Sequence, residues 1–284
     1  MSRLEEEPRL SIGDVVKATG LGEATLRAWE RRYGFPQPQR EPSGHRRYGA
    51  EEVERLLRVV AERERGIALP VAIERARVAA TGVPSLFARL RERRPDLQPM
   101  TVRKEHLVPL ARAIEEESAA RAERALLIGC FQRERFYRRS EPRWRELSRG
   151  AEAAFVFADF ERLRQPARAP AELPITRSHP VSREWAMVCA APEHGACMIA
   201  WEPPGRPHPG DPQREFELLL SVEPAVVREA AETATALAAP IVPELAERAR
   251  AYLEALAPPR PENQLRLSGS ITARLLSSLR GGLN

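Results

Sequence analysis

The chain has 284 residues, of which 43% are hydrophobic and 30% charged, and its net charge is +5. That length and balance suit two modest domains with real cores. They place it among globular proteins that bury a core without disulfide staples, and no apolar run approaches the roughly 20 residues that cross a bilayer, so no membrane partner is expected.

Residues 1–9, MSRLEEEPR, are polar and acidic with no apolar stretch, which reads as a flexible start rather than a secretory signal and leads us to expect a cytoplasmic protein. Ser11, followed three residues later by Asp14, resembles a capping box and opens a helix with Ile12, Val15 and Val16 on its apolar face. Gly20 ends it, because a left-handed residue costs glycine little. A second helix is predicted from Gly22 or Glu23 to about Tyr33, with Leu26 and Trp29 inward and Thr25, Arg27, Ala28, Arg31 and Arg32 spread over the outer surface. Two short helices around a tight glycine turn form a helix-turn-helix, whose second helix enters the major groove of double-stranded DNA. Arg27 is the candidate for bidentate contact with guanine O6 and N7.

From Gly34 to Gly49, Pro36, Pro38, Pro42 and Gly44 forbid helix, and a short two-stranded wing fits, with His45, Arg46, Arg47 and Tyr48 placed for phosphate contacts. Between Arg27 and Arg47 the basic residues Arg27, Arg31, Arg32, Arg40, Arg46 and Arg47 face only Glu30 and Glu41. Lysine occurs only at positions 17 and 104, so arginine richness is chain-wide and alone says little about partners. Helical period returns over 50–64, with Val53, Leu56, Leu57 and Val60 inward, and a fourth helix follows from Pro70 with Val71, Ile73 and Ala76.

The order GLGEATLRAWERRYG, PSGHRRYG, EEVERLL and GIALPVAIERA, across residues 10–78, resembles the DNA-binding domain of the MerR family of transcriptional regulators. The resemblance implies an α-rich winged helix-turn-helix acting as a homodimer on promoter DNA, with RNA polymerase as an indirect partner. It implies that Arg27 reads a base, that Thr25 and Trp29 lie at or near the backbone, and that Arg46 and Arg47 grip phosphates; Arg31 and Tyr48 complete the expected set. Ala28 departs from the family, which commonly has an aromatic residue there.

Residues 79–103, with Pro84, Pro95 and Pro99, read as a Pro/Arg-rich linker holding one short helix. No long heptad helix follows the DNA-binding unit, so a dimer contact would have to come from elsewhere. An amphipathic helix is then expected over 104–124, a strand over 125–131, a helix over 142–149, a strand over 153–160, and a hairpin of strands 185–191 and 196–201 around Pro192-Glu193-His194-Gly195. Helices are expected near 213–220, 224–237 and 242–256, followed by a flexible Pro/Ser/Gly tail. Strands mixed with helices indicate an α+β or mixed α/β domain over 104–239, with a C-terminal helix and tail over 240–284. No glycine-rich phosphate loop follows any strand, so a dinucleotide fold is not expected.

The EHLVPLARAIEEE, LLIGCFQ, FVFADF and EWAMVCAAPEHGACMIAWE segments, over about 104–238, resemble the DICT sensory domain. The resemblance implies a signal or small-molecule effector and names no ligand. The whole therefore reads as a multidomain, ligand-responsive DNA-binding regulator without catalytic residues, metal or cofactor.

Three rivals differ in what they need. A cobalamin-type light-sensing MerR regulator needs a histidine in a D/ExHxxG setting, and His106, His179, His194 and His208 lack it. An enzyme would need Cys130, Cys189 or Cys197 to converge with His179 or His194, whereas the three cysteines sit in apolar runs that favour buried thiols. A constitutive DNA binder would use its second domain only to dimerise.

Overall fold

In the computed structural model, which describes residues 10–41, 44–79, 85–121, 124–176, 179–204 and 213–281, a short strand β1 (Leu10–Ser11) runs into helix α1 (Ile12–Thr19) through the expected capping box. The Asp14 amide donates to Ser11 Oγ (3.3 Å) and the Ser11 amide to Asp14 Oδ2 (3.0 Å), and Gly20 closes the helix at φ +71°. Expectations for residues 1–9, Pro42 and His208 fall outside the described residues.

Helix α2 (Glu23–Tyr33), strands β2 (Gln39–Arg40) and β3 (Arg46–Tyr48), and helices α3 (Ala50–Glu64) and α4 (Leu69–Ala79) complete this first unit. The wing is three-stranded rather than two-stranded, because β3 pairs antiparallel with both β2 and β1. Val15, Leu26, Phe35, Tyr48, Leu56, Val59 and Ile73 form its buried core.

The chain divides into two units after Val83. The second begins earlier than expected: the described part of the 79–103 segment beyond that point is structured. Helix α5 (Leu86–Arg93) buries Leu86, Phe87 and Leu90, and strand β4 (Met100–Arg103) joins the sheet. Then follow α6 (Lys104–Arg121), β5 (Leu126–Cys130), α7 (Glu134–Leu147), β6 (Ala153–Ala158), β7 (Ala171–Pro174), β8 (Glu184–Ala190), β9 (Gly195–Trp201), β10 (Glu215–Ser221), α8 (Pro224–Ala238), α9 (Pro243–Ala255) and α10 (Pro261–Gly281). The strands form one mixed sheet in the order β4-β10-β9-β8-β5-β6-β7, with β5, β6 and β7 parallel and the remaining pairs antiparallel. The β8–β9 hairpin falls where expected.

Two readings are corrected. Residues 213–220 are not a helix but strand β10, with Phe216 and Leu218 buried in alternation and ladders to β4 on one side and β9 on the other. The Glu/Leu composition favours helix locally, and pairing on both edges overrides it. The tail is not flexible over 261–281: α10 places Gln264, Leu267, Ile271 and Leu275 on one face, with Leu267 and Ile271 buried in the main core.

Helices α5, α8 and α9 contact the sheet on β5, β6, β8 and β9, while α10 packs on α6 and α6 on α7 over the cluster around Trp144. Gly129 on β5 makes that cluster possible. A Cβ there would meet the Trp144 ring at 2.7 Å and Val156 at 3.0 Å, so only glycine lets the indole lie on the strand.

Candidate nucleic-acid interface

Helix α2 buries Leu26 and packs Trp29 and Tyr33 against the core, leaving Arg27 and Arg31, one turn apart, exposed on the opposite side. Thr25 is half-buried near the helix start. Arg27 is held at 3.0 Å by Glu23, but both side chains are about half exposed, so the pair is weak and readily exchanged.

On β3, Arg46 and Tyr48 fall on one face of the strand and Arg47 on the other. Arg46 Nε donates to Glu30 of α2 at 2.7 Å, and Arg40 of β2 donates to the same carboxylate at 3.1 Å. The hydrogen bond from Arg46 holds the Glu30 carboxyl below its ordinary range. Arg47 Nε donates to Glu41 at 2.7 Å. Thus the wing is tied to α2 through Glu30, which takes Arg40 and Arg46, while Arg27 pairs with Glu23 along the helix and Arg47 with Glu41.

Of the residues named from sequence, Arg27, Arg31 and Arg46 reach solvent on the α2 side of the wing, and Arg47 on the other face of β3. Tyr48 does not: its side chain is 1% exposed, and burial raises its hydroxyl pKa. Trp29 is also turned partly into the core. Arg46-Arg47-Tyr48 reads as polar, but Tyr48, on the strand face it shares with Arg46, packs into the core.

Two contacts join residues distant in sequence. Glu30 sets the position of the wing arginines, and Arg77 of α4 donates to the carbonyls of Tyr33 (2.5 Å) and Gly34 (3.0 Å), capping the C-terminus of α2. Neither carries a local signal, since the partners are far apart in sequence.

The cysteines and histidines of the second unit do not form an activated pair. Cys189 Sγ lies 3.9 Å from His194 Nε2, but burial pushes the Cys189 thiol up to about 11 and Cys197 up to about 12. A thiol so raised stays protonated and is a poor nucleophile. His179 stacks on Phe157 and its pKa is lowered by burial, while His106 is exposed beside Glu105. Among the described residues no group of three or more His, Cys, Asp or Glu side chains is placed to hold a metal ion, and no helix is long and apolar enough to cross a membrane.

Comparison with known proteins accords with this division. The family described as MerR HTH family regulatory protein matches residues 10–77, and the DICT family, a sensory domain in diguanylate cyclases and two-component systems, matches residues 84–203. The latter begins at the head of the second unit rather than at residue 104. Relatives include the HTH-type transcriptional repressor CarA of Myxococcus xanthus, 44% identical over 86 residues that make 30% of this chain and 30% of that protein. The HTH-type transcriptional regulator MlrA of Escherichia coli (strain K12) is 39% identical over 49 residues, 17% of this chain and 20% of that protein. The matches thus span less than a third of the length of either relative. The chain joins a MerR-family helix-turn-helix domain at residues 10–77 to a DICT sensory domain at residues 84–203.

Proposed function

We propose that the chain is a sequence-specific transcriptional regulator of the cytoplasm, binding double-stranded promoter DNA as a homodimer, and that its DICT unit senses a small effector and adjusts that binding. The observation that carries this reading is the joint surface of α2 and the wing. Arg27 and Arg31 stand exposed on the helix, and Arg46 and Arg47 lie beside it on β3. Arginine suits both roles required, bidentate base contact and phosphate grip. The names of CarA and MlrA, a transcriptional repressor and a transcriptional regulator, support the same class. RNA polymerase would respond indirectly, through occupancy of the promoter.

Binding-site selection with the purified full chain tests the proposal. An enriched, two-fold symmetric operator with two half-sites supports it. Recovery of unenriched DNA, or full-affinity binding of a monomer to one half-site, counts against sequence specificity or the dimer respectively.

A further inference from the structure

A cavity of about 270 Å³ opens in the second unit between α6 and α7, at the carboxyl end of β5. Its helical walls are visible in the spacing. Lys104, Val108, Ala111, Arg112 and Glu115 form one face of α6, and Phe136, Arg139, Ser140 and Arg143 one face of α7. Phe131 and Gln132 follow β5 directly, and Trp185 and Phe216 reach in from β8 and β10. At β5 the chain changes direction across the sheet: α6 arrives from edge strand β4, and α7 leaves toward β6 on the other side. Crevices at carboxyl strand ends beside such a reversal are where α/β sheets bind ligands.

The charges within the cavity do not balance. Arg214, 4% exposed, is held by both carboxylate oxygens of Glu202, and its Nη2 also donates to Gln132 Oε1 at 2.8 Å. Glu115 accepts from Arg143 Nε (2.7 Å) and Trp144 Nε1 (3.0 Å). Both nearby acids are therefore already engaged by arginines. Arg112 and Arg139, one on each helix, have no carboxylate partner among the described residues. The Lys104 ammonium sits 5.6 Å over the Phe136 ring. Burial, then the nearby Arg214 and Arg139, lower its pKa from the ordinary lysine value, against the opposing pull of Glu202.

The aromatic surface complements these cations. Trp185 packs edge-on against Phe216 at 6.3 Å, and Phe131 and Phe136 line the same space. A volume near the lower end for small-ligand sites, on the order of 300 Å³, suits a single ring system rather than a dinucleotide.

We propose that this cavity binds a small aromatic anion, its ring against Phe136, Trp185 and Phe216 and its acidic group toward Arg112, Arg139 and Lys104. The ligand class deepens, and as a signal rests on, the sensory reading given above; binding itself can be measured without DNA.

The test is calorimetric titration of the full chain with naphthoate, with its neutral amide naphthamide, and with inorganic phosphate. Naphthoate is expected to saturate one site with Kd on the order of 0.1–1 mM, with the amide and phosphate each about tenfold weaker or worse. Arg112→Ala and Arg139→Ala change exposed side chains, and circular dichroism checks that they fold. Each should weaken naphthoate about tenfold, Arg139→Lys should retain most of the binding, and Val108→Trp should abolish it by filling the space. Absence of saturation, equal binding of naphthamide, or indifference to both alanine variants overturns the assignment. DNA binding is measured on the same preparations. A chain that binds its operator but not naphthoate refutes the cavity alone, and one that binds naphthoate but no DNA refutes the regulator reading alone.

Discussion

The Glu30 carboxylate on α2 holds the Arg46 guanidinium of the wing at 2.7 Å, so an acid of the helix-turn-helix occupies an arginine assigned to phosphate. Arg40 shares the same carboxylate at 3.1 Å. Phosphate contact through Nε of Arg46 must therefore displace an internal acid. Glu30→Gln is expected to strengthen binding to all DNA sequences several-fold and to steepen the salt dependence, by about 0.9 in the log–log slope for each additional phosphate engaged. Fluorescence anisotropy across a salt series reads both, and an unchanged slope would show that Glu30 does not hold Arg46 back from phosphate.

Arg27→Ala should behave differently. It is expected to cost roughly 1–3 kcal/mol on the selected operator and to relax preference at one base pair, with little change on random DNA. Tyr48→Phe, at a buried side chain, should leave operator affinity close to that of the parent. Repeating site selection with each variant checks this, and unaltered specificity for Arg27→Ala would assign base reading to another residue.

Arg138 secures the far side of the sheet. Its guanidinium engages both oxygens of Glu172 at 2.5 and 2.7 Å, and Glu172 is 1% exposed. Arg138→Met leaves a buried carboxylate with, among the described residues, only the exposed Arg164 at 3.6 Å. A loss of about 3–5 kcal/mol is expected, largely recovered in the double variant Arg138→Met with Glu172→Leu. Urea denaturation of the single and double variants measures it.

Glu184 at the start of β8 is fully buried, accepts from the Phe87 amide at the head of α5 (2.9 Å), and has its second oxygen unpartnered among the described residues. Burial pushes its pKa up from 4.5 to about 7. The folded state thus holds a proton that the unfolded state releases, so the stability from this group is full below pH 4.5 and falls as pH rises through 7. Glu184→Gln should remove that slope, matching the parent near pH 4 and exceeding it by roughly 1–3 kcal/mol near pH 8. Denaturation at both pH values decides; a parallel pH dependence in the variant would place the titration elsewhere.

The first unit was legible because its signals are local. Ser11 and Asp14 cap one helix, Gly20 and Gly34 end two, and the prolines of the wing bar helix between them. What escaped depends on partners distant in sequence. Nothing beside Glu30 announces Arg46, and nothing in Arg46-Arg47-Tyr48 says that the tyrosine turns inward. The four-residue β4 is too short to show a period, and β10 offers a Glu/Leu run that suits a helix until strands flank it. In α10 the prolines, serines and glycine of 258–270 masked a spacing of Gln264, Leu267, Ile271 and Leu275. The opposed faces of α6 and α7 were present as spacing, but only the fold brings them across one cavity.

Among the described residues strand β4 pairs with β10 alone, Arg103 lying opposite Glu215. The matched DICT segment, ending at residue 203, contains the first of these strands and not the second. A fragment cut at that point would carry β4 with its hydrogen-bonding partner missing and would leave one edge of β9 open to pairing with other chains. The indivisible length of this unit is therefore set by a ladder that its last strand completes, and a soluble fragment has to run beyond Ser221 before its first strand has anywhere to go.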